Sequence, residues 1–167
     1  MKIAIFFYSK TGNTKHIAKK IKELVENQKH TVHLIDIKPE KQPGFLKAGY
    51  SAIRQKTLPI TNDVVDVSSF NLVFVGCPVW AGKPAPFIRT MIQKINGLEH
   101  MKTSVFITCA GGESPESKAV GLVESYLKEK NATVIDESLI VHMTRKKEIR
   151  KEIPPINTFI NNIIALV

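Results

Sequence analysis

The feature that most constrains the fold is a fivefold alternation of strand-like and helix-like segments along the chain. The first strand-like run, residues 2–8, is apolar nearly throughout, which is typical of a parallel strand covered by helices on both faces. Further strands are predicted at residues 30–37, 71–77, 103–109 and 133–143. Apolar residues have helical spacing in five segments. Two are residues 13–28 and 44–56, the third begins near residue 86, the fourth ends near residue 130 and the fifth begins near residue 155. With no internal repeat or linker, this alternation predicts one doubly wound α/β domain over residues 1–167.

The last segment is ambiguous, because helical spacing and prolines occur together in it. Isoleucines recur there at positions 149, 153, 156, 160 and 163. Pro154 and Pro155 must kink or restart such a helix. We therefore expect a short turn and then a helix that begins near Pro155.

Charge and cysteine content narrow the class of protein. A formal net charge of +9 favours an acidic partner or substrate. Cys77 and Cys109 stand far apart in sequence with no CxxC motif and no Cys/His cluster, and the five histidines are scattered, so neither structural zinc nor a disulfide framework is predicted. We recognise no signal peptide and no apolar run long enough to cross a bilayer, and therefore expect a cytoplasmic protein with no membrane span.

A hydroxyl-rich stretch connects the first strand to the first helix. It consists of Ser9, Lys10, Thr11, Gly12, Asn13 and Thr14. A helix start presents unpaired N–H groups at the positive end of its dipole, which suits a phosphate. An ordinary helix cap is the alternative, but a cap requires one such residue rather than several. The stretch predicts a ligand that carries a phosphate.

Two further loops follow the third and fourth strands at the same edge of the predicted sheet, where doubly wound folds bind ligands. The second of the three loops, after the third strand, presents the one tryptophan of the chain among small residues: Pro78, Val79, Trp80, Ala81 and Gly82. The third loop, after the fourth strand, consists of Cys109, Ala110, Gly111 and Gly112. It has no bulky side chain that would keep a flat ligand from its backbone. A single tryptophan is often a core residue, but its place at this edge favours stacking on a ligand.

A phosphate seat, an aromatic side chain and accessible amides at one edge describe a site for flavin mononucleotide (FMN). Other phosphate ligands and hydrolase chemistry fit less well, because the motifs GxGxxG, GxxxxGK[ST] and GxSxG do not occur. FMN is therefore the predicted cofactor.

These loops also resemble those of the flavodoxin family. The stretch Ser9–Thr14 matches the flavodoxin phosphate-loop pattern [ST]-x-T-G-x-T, and Gly76–Pro86 is similar to a second flavin loop of the pattern x-P-V-W-A-G-x-P-A-P. The resemblance covers essentially the whole chain in element order. It implies a three-layer α/β/α fold with a five-stranded parallel sheet in the order 2-1-3-4-5.

The resemblance also implies a role for each loop. The stretch Ser9–Thr14 is expected to hold the FMN phosphate through its side chains and its amides. Trp80 is expected to cover one face of the isoalloxazine ring, with Val79, Ala81 and Gly82 beside its N5 edge. The residues Cys109–Gly112 are expected to meet the pyrimidine side. The cofactor carries the electron chemistry, so no protein group is predicted to act as a general acid or nucleophile.

Two departures from the family bear on function. Flavodoxins often stack a second aromatic side chain from the third loop, whereas this chain has Ala110, Gly111 and Gly112 there, which leaves room for a nicotinamide or a quinone. Many flavodoxins are also acidic, whereas this chain is basic. A redox pair of Cys77 and Cys109 is a disfavoured alternative, because cysteines at strand ends are usually inert packing residues.

Several functions remain open at this point. The leading hypothesis is an FMN-bound carrier that passes electrons between partner proteins. Because the chain is basic, these partners can include acidic proteins. The first alternative is an FMN-dependent oxidoreductase that takes hydride from NAD(P)H and reduces a quinone or a free flavin. A flavin-free binding or signalling domain on the same fold is the second. Polyanion binding through residues 15–22, 38–56 and 145–151 is the weakest, since these basic segments lack interleaved aromatic residues, and no nucleic-acid partner is expected.

Overall fold

A central sheet flanked by helices organises the structure, a computed structural model that describes residues 1–54, 56–110, 116–144 and 146–167. The strands of the described residues are β1 (Lys2–Phe7), β2 (Thr31–Asp36), β3 (Val65–Asp66), β4 (Leu72–Trp80), β5 (Lys83–Pro84), β6 (Ile95–Asn96), β7 (Lys102–Cys109), β8 (Thr133–Met143) and β9 (Ile149–Ile153). The helices are α1 (Asn13–Asn27), α2 (Phe45–Ile53), α3 (Phe87–Gln93), α4 (Glu116–Lys128) and α5 (Ile156–Ala165).

The main sheet has the spatial order β2-β1-β4-β7-β8-β9, and β5 pairs with the end of β4. The strands from β2 to β8 in this order are parallel to their neighbours. They are the five strands that the sequence predicts, in the predicted order 2-1-3-4-5. The expected flavodoxin-like α/β fold is therefore confirmed.

The sheet also has a sixth long strand that the sequence pattern does not predict. Ile149 and Ile153 have helical spacing with the isoleucines that follow them, but they lie in β9. This strand pairs antiparallel with β8. Residues four apart share one face both in a helix and in a strand, so their spacing did not distinguish the two. The expected helix does follow, since α5 begins at Ile156 directly after Pro155.

Two apolar cores lie on opposite faces of the sheet. Alternate residues of β1 divide between them: Ile3, Ile5 and Phe7 pack beneath α1 and α5, whereas Ala4, Phe6 and Tyr8 pack beneath α3 and α4. This arrangement confirms that the first strand is buried on both faces, as its uniform apolarity indicates. The carboxyl ends of the parallel strands lie together at one edge of the sheet.

The end of one helix differs from the prediction. The spacing of Met91, Ile92 and Ile95 predicts that all three lie on one helix, whereas Ile95 is buried in β6, where it pairs with Val65 of β3. The helix has already ended at Gln93, and the amide of Lys94 bonds to the carbonyl of Met91 in a tight final turn. None of the helices in the described residues has the length and apolar content of a membrane span.

Candidate functional site

Three neighbouring strands bring the predicted loops to one edge of the sheet. β4 pairs with β1 on one side and with β7 on the other, all three parallel, so the segments that follow them leave at the same edge. The described residues include the first two loops and the third loop as far as Ala110. Gly111 and Gly112, also predicted to contact the ligand, lie outside the described residues.

The first loop leaves the start of α1 without a side-chain cap. The N-cap residue is Gly12, with a φ of +93°, and the described residues provide no side-chain hydrogen bond that caps the helix. The capping alternative is therefore wrong. A left-handed φ at this position suits glycine, since other L residues adopt it at a cost. The uncapped amides and the positive end of the α1 dipole face the edge where a phosphate would be favoured.

The same loop contains two buried polar atoms without a hydrogen-bond partner in the described residues, Ser9 Oγ and Asn13 Oδ1. A buried polar atom left unpaired costs about 1–3 kcal/mol. The hydroxyl of Ser9 can donate to a phosphate oxygen, and the amide oxygen of Asn13 can accept from a sugar-alcohol hydroxyl. The residues present therefore fit a polar, phosphate-bearing ligand such as FMN.

The remaining residues of this loop have different environments. The hydroxyl of Thr14 is buried and shares a hydrogen bond of 2.8 Å with that of Thr108 on β7, which joins α1 to the sheet. Lys10 and Thr11 are exposed. The Nζ atom of Lys10 donates to the carbonyl of Pro43 at 3.3 Å and lies 5.6 Å from the centroid of the Trp80 ring.

A fourth segment at this edge, residues 144–148 between β8 and β9, was not among the predicted loops. Asn13 Nδ2 donates to the carbonyl of Thr144 at 3.1 Å. Lys147 crosses over Gly12, because a Cβ placed on that glycine would lie 3.1 Å from Lys147 Cε and 3.4 Å from its Nζ. The sequence assigned Lys147 only to a basic segment. The signal that was missed is that β8, as a parallel strand, must end at the edge where the other loops lie.

The second loop is a hairpin that carries Trp80. β4 continues to Trp80, which pairs with Lys83, so Ala81 and Gly82 form a two-residue turn with φ values of +48° and +73°. Positive φ at both central residues is the geometry of a type I′ hairpin turn. Most of the predicted loop is therefore strand that extends the sheet, and this pairing fixes the position of the tryptophan.

Trp80 is partly buried and is held by two aromatic neighbours. Its ring centroid lies 5.6 Å from that of Tyr8 and 6.2 Å from that of Phe87, and both pairs are nearly perpendicular. The Tyr8 hydroxyl donates to Gln42 Oε1 at 2.9 Å, and burial raises the pKa of Tyr8 to about 12. Tyr8 therefore stays protonated at neutral pH and supports Trp80 as a neutral, well-positioned side chain. Sequence analysis did not identify this role.

The third loop begins at a buried cysteine. Cys109 ends β7, and its thiol lies 3.7 Å from both Glu116 Oε1 and the carbonyl of Val141. Cys77, the other cysteine, lies beside Ile107 rather than Cys109, and burial raises its pKa to about 12. Cys77 is thus held as an unreactive thiol, which gives no support to a redox pair.

Comparisons with known proteins identify a family and a fold for this chain. A family model described as NADPH-dependent FMN reductase matches residues 1–146. No curated protein sequence matches the chain.

Solved structures resemble the chain over 83% or more of its length. A putative flavoprotein from Bacteroides eggerthii has a TM-score of 0.70 at 20% identity, covering 98% of both chains. Flavodoxin 1 from Bacillus cereus, in its oxidised form, has a TM-score of 0.69 at 17% identity, covering 100% of this chain and 99% of that one. A flavoprotein from Lactobacillus acidophilus in complex with FMN has a TM-score of 0.66 at 23% identity, covering 83% of this chain and 91% of its own. At such identities these likenesses establish the fold.

Proposed function

This chain belongs to the NADPH-dependent FMN reductase family, and from that premise we propose that it is an FMN-dependent oxidoreductase that takes reducing equivalents from NAD(P)H. It is a flavodoxin-like protein whose cofactor is FMN. The observation that carries the proposal is a pair of buried atoms, Ser9 Oγ and Asn13 Oδ1, that have no hydrogen-bond partner in the described part of the chain and lie beside the start of α1. They supply partners for a phosphate and a ribityl chain where the family requires FMN.

The phosphate would be held by the first loop. The amides at the start of α1 donate to its oxygens, and the Ser9 hydroxyl adds a further donor. Lys147 adds a positive charge beside Gly12, which would attract the negatively charged phosphate. Thr14 contributes indirectly, because its hydrogen bond to Thr108 fixes the helix start relative to β7.

The ring would be oriented by the second and third loops. Trp80 offers an aromatic surface, and its edge-to-face contacts with Tyr8 and Phe87 hold the ring in position. The amides of Ala81 and Gly82 lie in the tight turn next to it, where they can bond to the ring edge. FMN, when bound there, supplies the hydride and single-electron chemistry, while these residues orient it and shield one side from water.

The nature of the electron donor separates the reductase from the carrier. The third loop, with Ala110 exposed and glycines next in sequence, supports access of a nicotinamide to the site. The basic charge of the chain supports attraction of a dinucleotide that carries phosphates. Both features, with the family membership, favour the reductase over the carrier that the sequence alone placed first.

The test is to add NADPH, and separately NADH, to the FMN-loaded protein without air and to follow the visible absorbance of the flavin. We expect rapid bleaching at a rate that rises with nucleotide concentration, and recovery of colour when a quinone or free flavin is added. Free FMN at the same concentration is the control. If the colour persists until a partner reductase is supplied, the protein is a carrier and the reductase proposal is wrong.

A further inference from the structure

A second group of chemically reactive side chains lies at the same edge, on the opposite side of β7 from Thr14. Cys109 Sγ lies 3.7 Å from Glu116 Oε1, and His142 Nε2 lies 3.8 Å from the same oxygen. All three ligand atoms are within 4.8 Å of one another. The cysteine is 8% exposed, and the side chains of the histidine and the glutamate are 15% and 17% exposed.

We propose that Cys109, Glu116 and His142 bind a divalent transition-metal ion, with Zn²⁺ as the best match. Bond lengths of roughly 2.0–2.3 Å put tetrahedral zinc ligands about 3.3–3.5 Å apart. The separations of Cys109 Sγ and His142 Nε2 from Glu116 Oε1, 3.7 Å and 3.8 Å, are slightly longer, and all three ligand atoms lie within 4.8 Å of one another. Side-chain rotations around a central ion would bring them to bonding distance. Thiolate and imidazole ligands select zinc over magnesium and calcium, which prefer oxygen.

The fold holds these ligands in place before any metal binds. Cys109 and His142 are register partners on the adjacent parallel strands β7 and β8, so the backbone fixes them side by side. Glu116 is the first residue of α4, so its carboxyl group lies at the start of that helix. Thiolate and carboxylate together neutralise a divalent cation. Three protein ligands leave a fourth coordination position open.

The position of the site gives it a structural consequence. Cys109 is the first residue of the third loop and Glu116 is the first residue of the helix that comes next in the chain, so one ion would join the end of β7 to the start of α4. The proposed site uses the Cys109 side chain, whereas the predicted flavin contact of the third loop concerns its backbone. The metal proposal therefore does not depend on the reductase activity.

The first experiment measures zinc stoichiometry. The FMN-loaded protein is treated with chelator, desalted, dialysed against ZnCl₂, desalted again and analysed for metal content. We expect one zinc per chain. The zinc affinity, measured by competition with a chromogenic chelator, should be lower in Cys109→Ser and in His142→Asn by more than the roughly 10- to 100-fold that outer-shell changes cost. His100→Asn is the matched control, because His100 Nε2 also lies 3.8 Å from a glutamate, Glu99, but this pair is highly exposed. It should leave binding unchanged.

A second experiment identifies the ligands spectroscopically and guards against misfolded variants. Co²⁺ added to the wild-type protein should give a near-ultraviolet thiolate-to-metal band above the flavin background, and Cys109→Ser should abolish it. Glu116→Gln preserves side-chain size at a partly exposed position, so the variant should fold. It should nevertheless bind zinc less tightly than the wild-type protein. Failure of the wild-type protein to retain zinc overturns the proposal. So does zinc retention by the Cys109→Ser, His142→Asn double variant at wild-type affinity.

Discussion

At the scale of single residues, Lys147 is the side chain that most alters the expected phosphate site. Its own backbone is in the left-handed region, with a φ of +66°, in the turn where the amide of Thr144 bonds to the carbonyl of Glu148 at 2.9 Å. The amides of Lys146 and Glu148 also bond to the Thr144 hydroxyl. The turn thus holds Lys147 over Gly12 although the lysine side chain itself is exposed.

We expect Lys147→Gln to weaken FMN binding by about two- to fivefold, because an exposed ion pair contributes up to about 1 kcal/mol. Binding is measured by quenching of flavin fluorescence. The loss should shrink at high salt and should be absent for riboflavin, which has no phosphate. Lys146→Gln removes the same charge one residue away and is the matched control. An equal loss for riboflavin and FMN would show that Lys147 acts on the fold rather than on the phosphate.

At the scale of elements, the turn between β4 and β5 determines where Trp80 lies. Gly82 has a φ of +73° within that turn, a region that costs other L residues about 1–2 kcal/mol. We expect Gly82→Ala to lower the free energy of unfolding by about 1 kcal/mol in urea titrations. Gly121→Ala is the control of opposite sign, since Gly121 lies within α4 with open space at its Cβ. It should raise stability by about 0.5–1 kcal/mol. Equal effects of both changes would contradict the turn geometry.

The elements also show which information the sequence carries. Local apolar patterns were sufficient for the five parallel strands, and strand ends were sufficient to bring Ser9 and Trp80 to one edge. The order of the strands came from the resemblance of the two loops to those of the flavodoxin family. Local patterns were not sufficient for β9, because isoleucine spacing suited both a helix and a strand. The Cys109–His142 neighbourhood was not predicted either. It depends on the register of β7 with β8, which fixes residues far apart in sequence side by side and leaves no local pattern.

At the scale of the whole molecule, the buried ionisable groups make stability depend on pH. Burial raises the pKa of Cys77 from 9.0 to about 12 and that of Tyr8 from 10.0 to about 12, and it raises the pKa of Tyr126 as well. The folded protein therefore keeps these protons when the unfolded chain has begun to lose them. Their contribution to stability is complete below about pH 9 and is lost as the pH rises towards 12.

We therefore expect the free energy of unfolding, from urea titrations under reducing conditions, to fall progressively between pH 9 and pH 12. Tyr8→Phe and Cys77→Ala should each make this fall shallower, whatever their effect on stability at neutral pH, because each removes one group whose proton is held by the fold. Tyr50→Phe, at an exposed tyrosine, should leave the slope unchanged. A stability that stays constant or increases up to pH 12 would mean that solvent reaches Tyr8 and Cys77, and that the layer beneath Trp80 is less tightly packed than its contacts indicate.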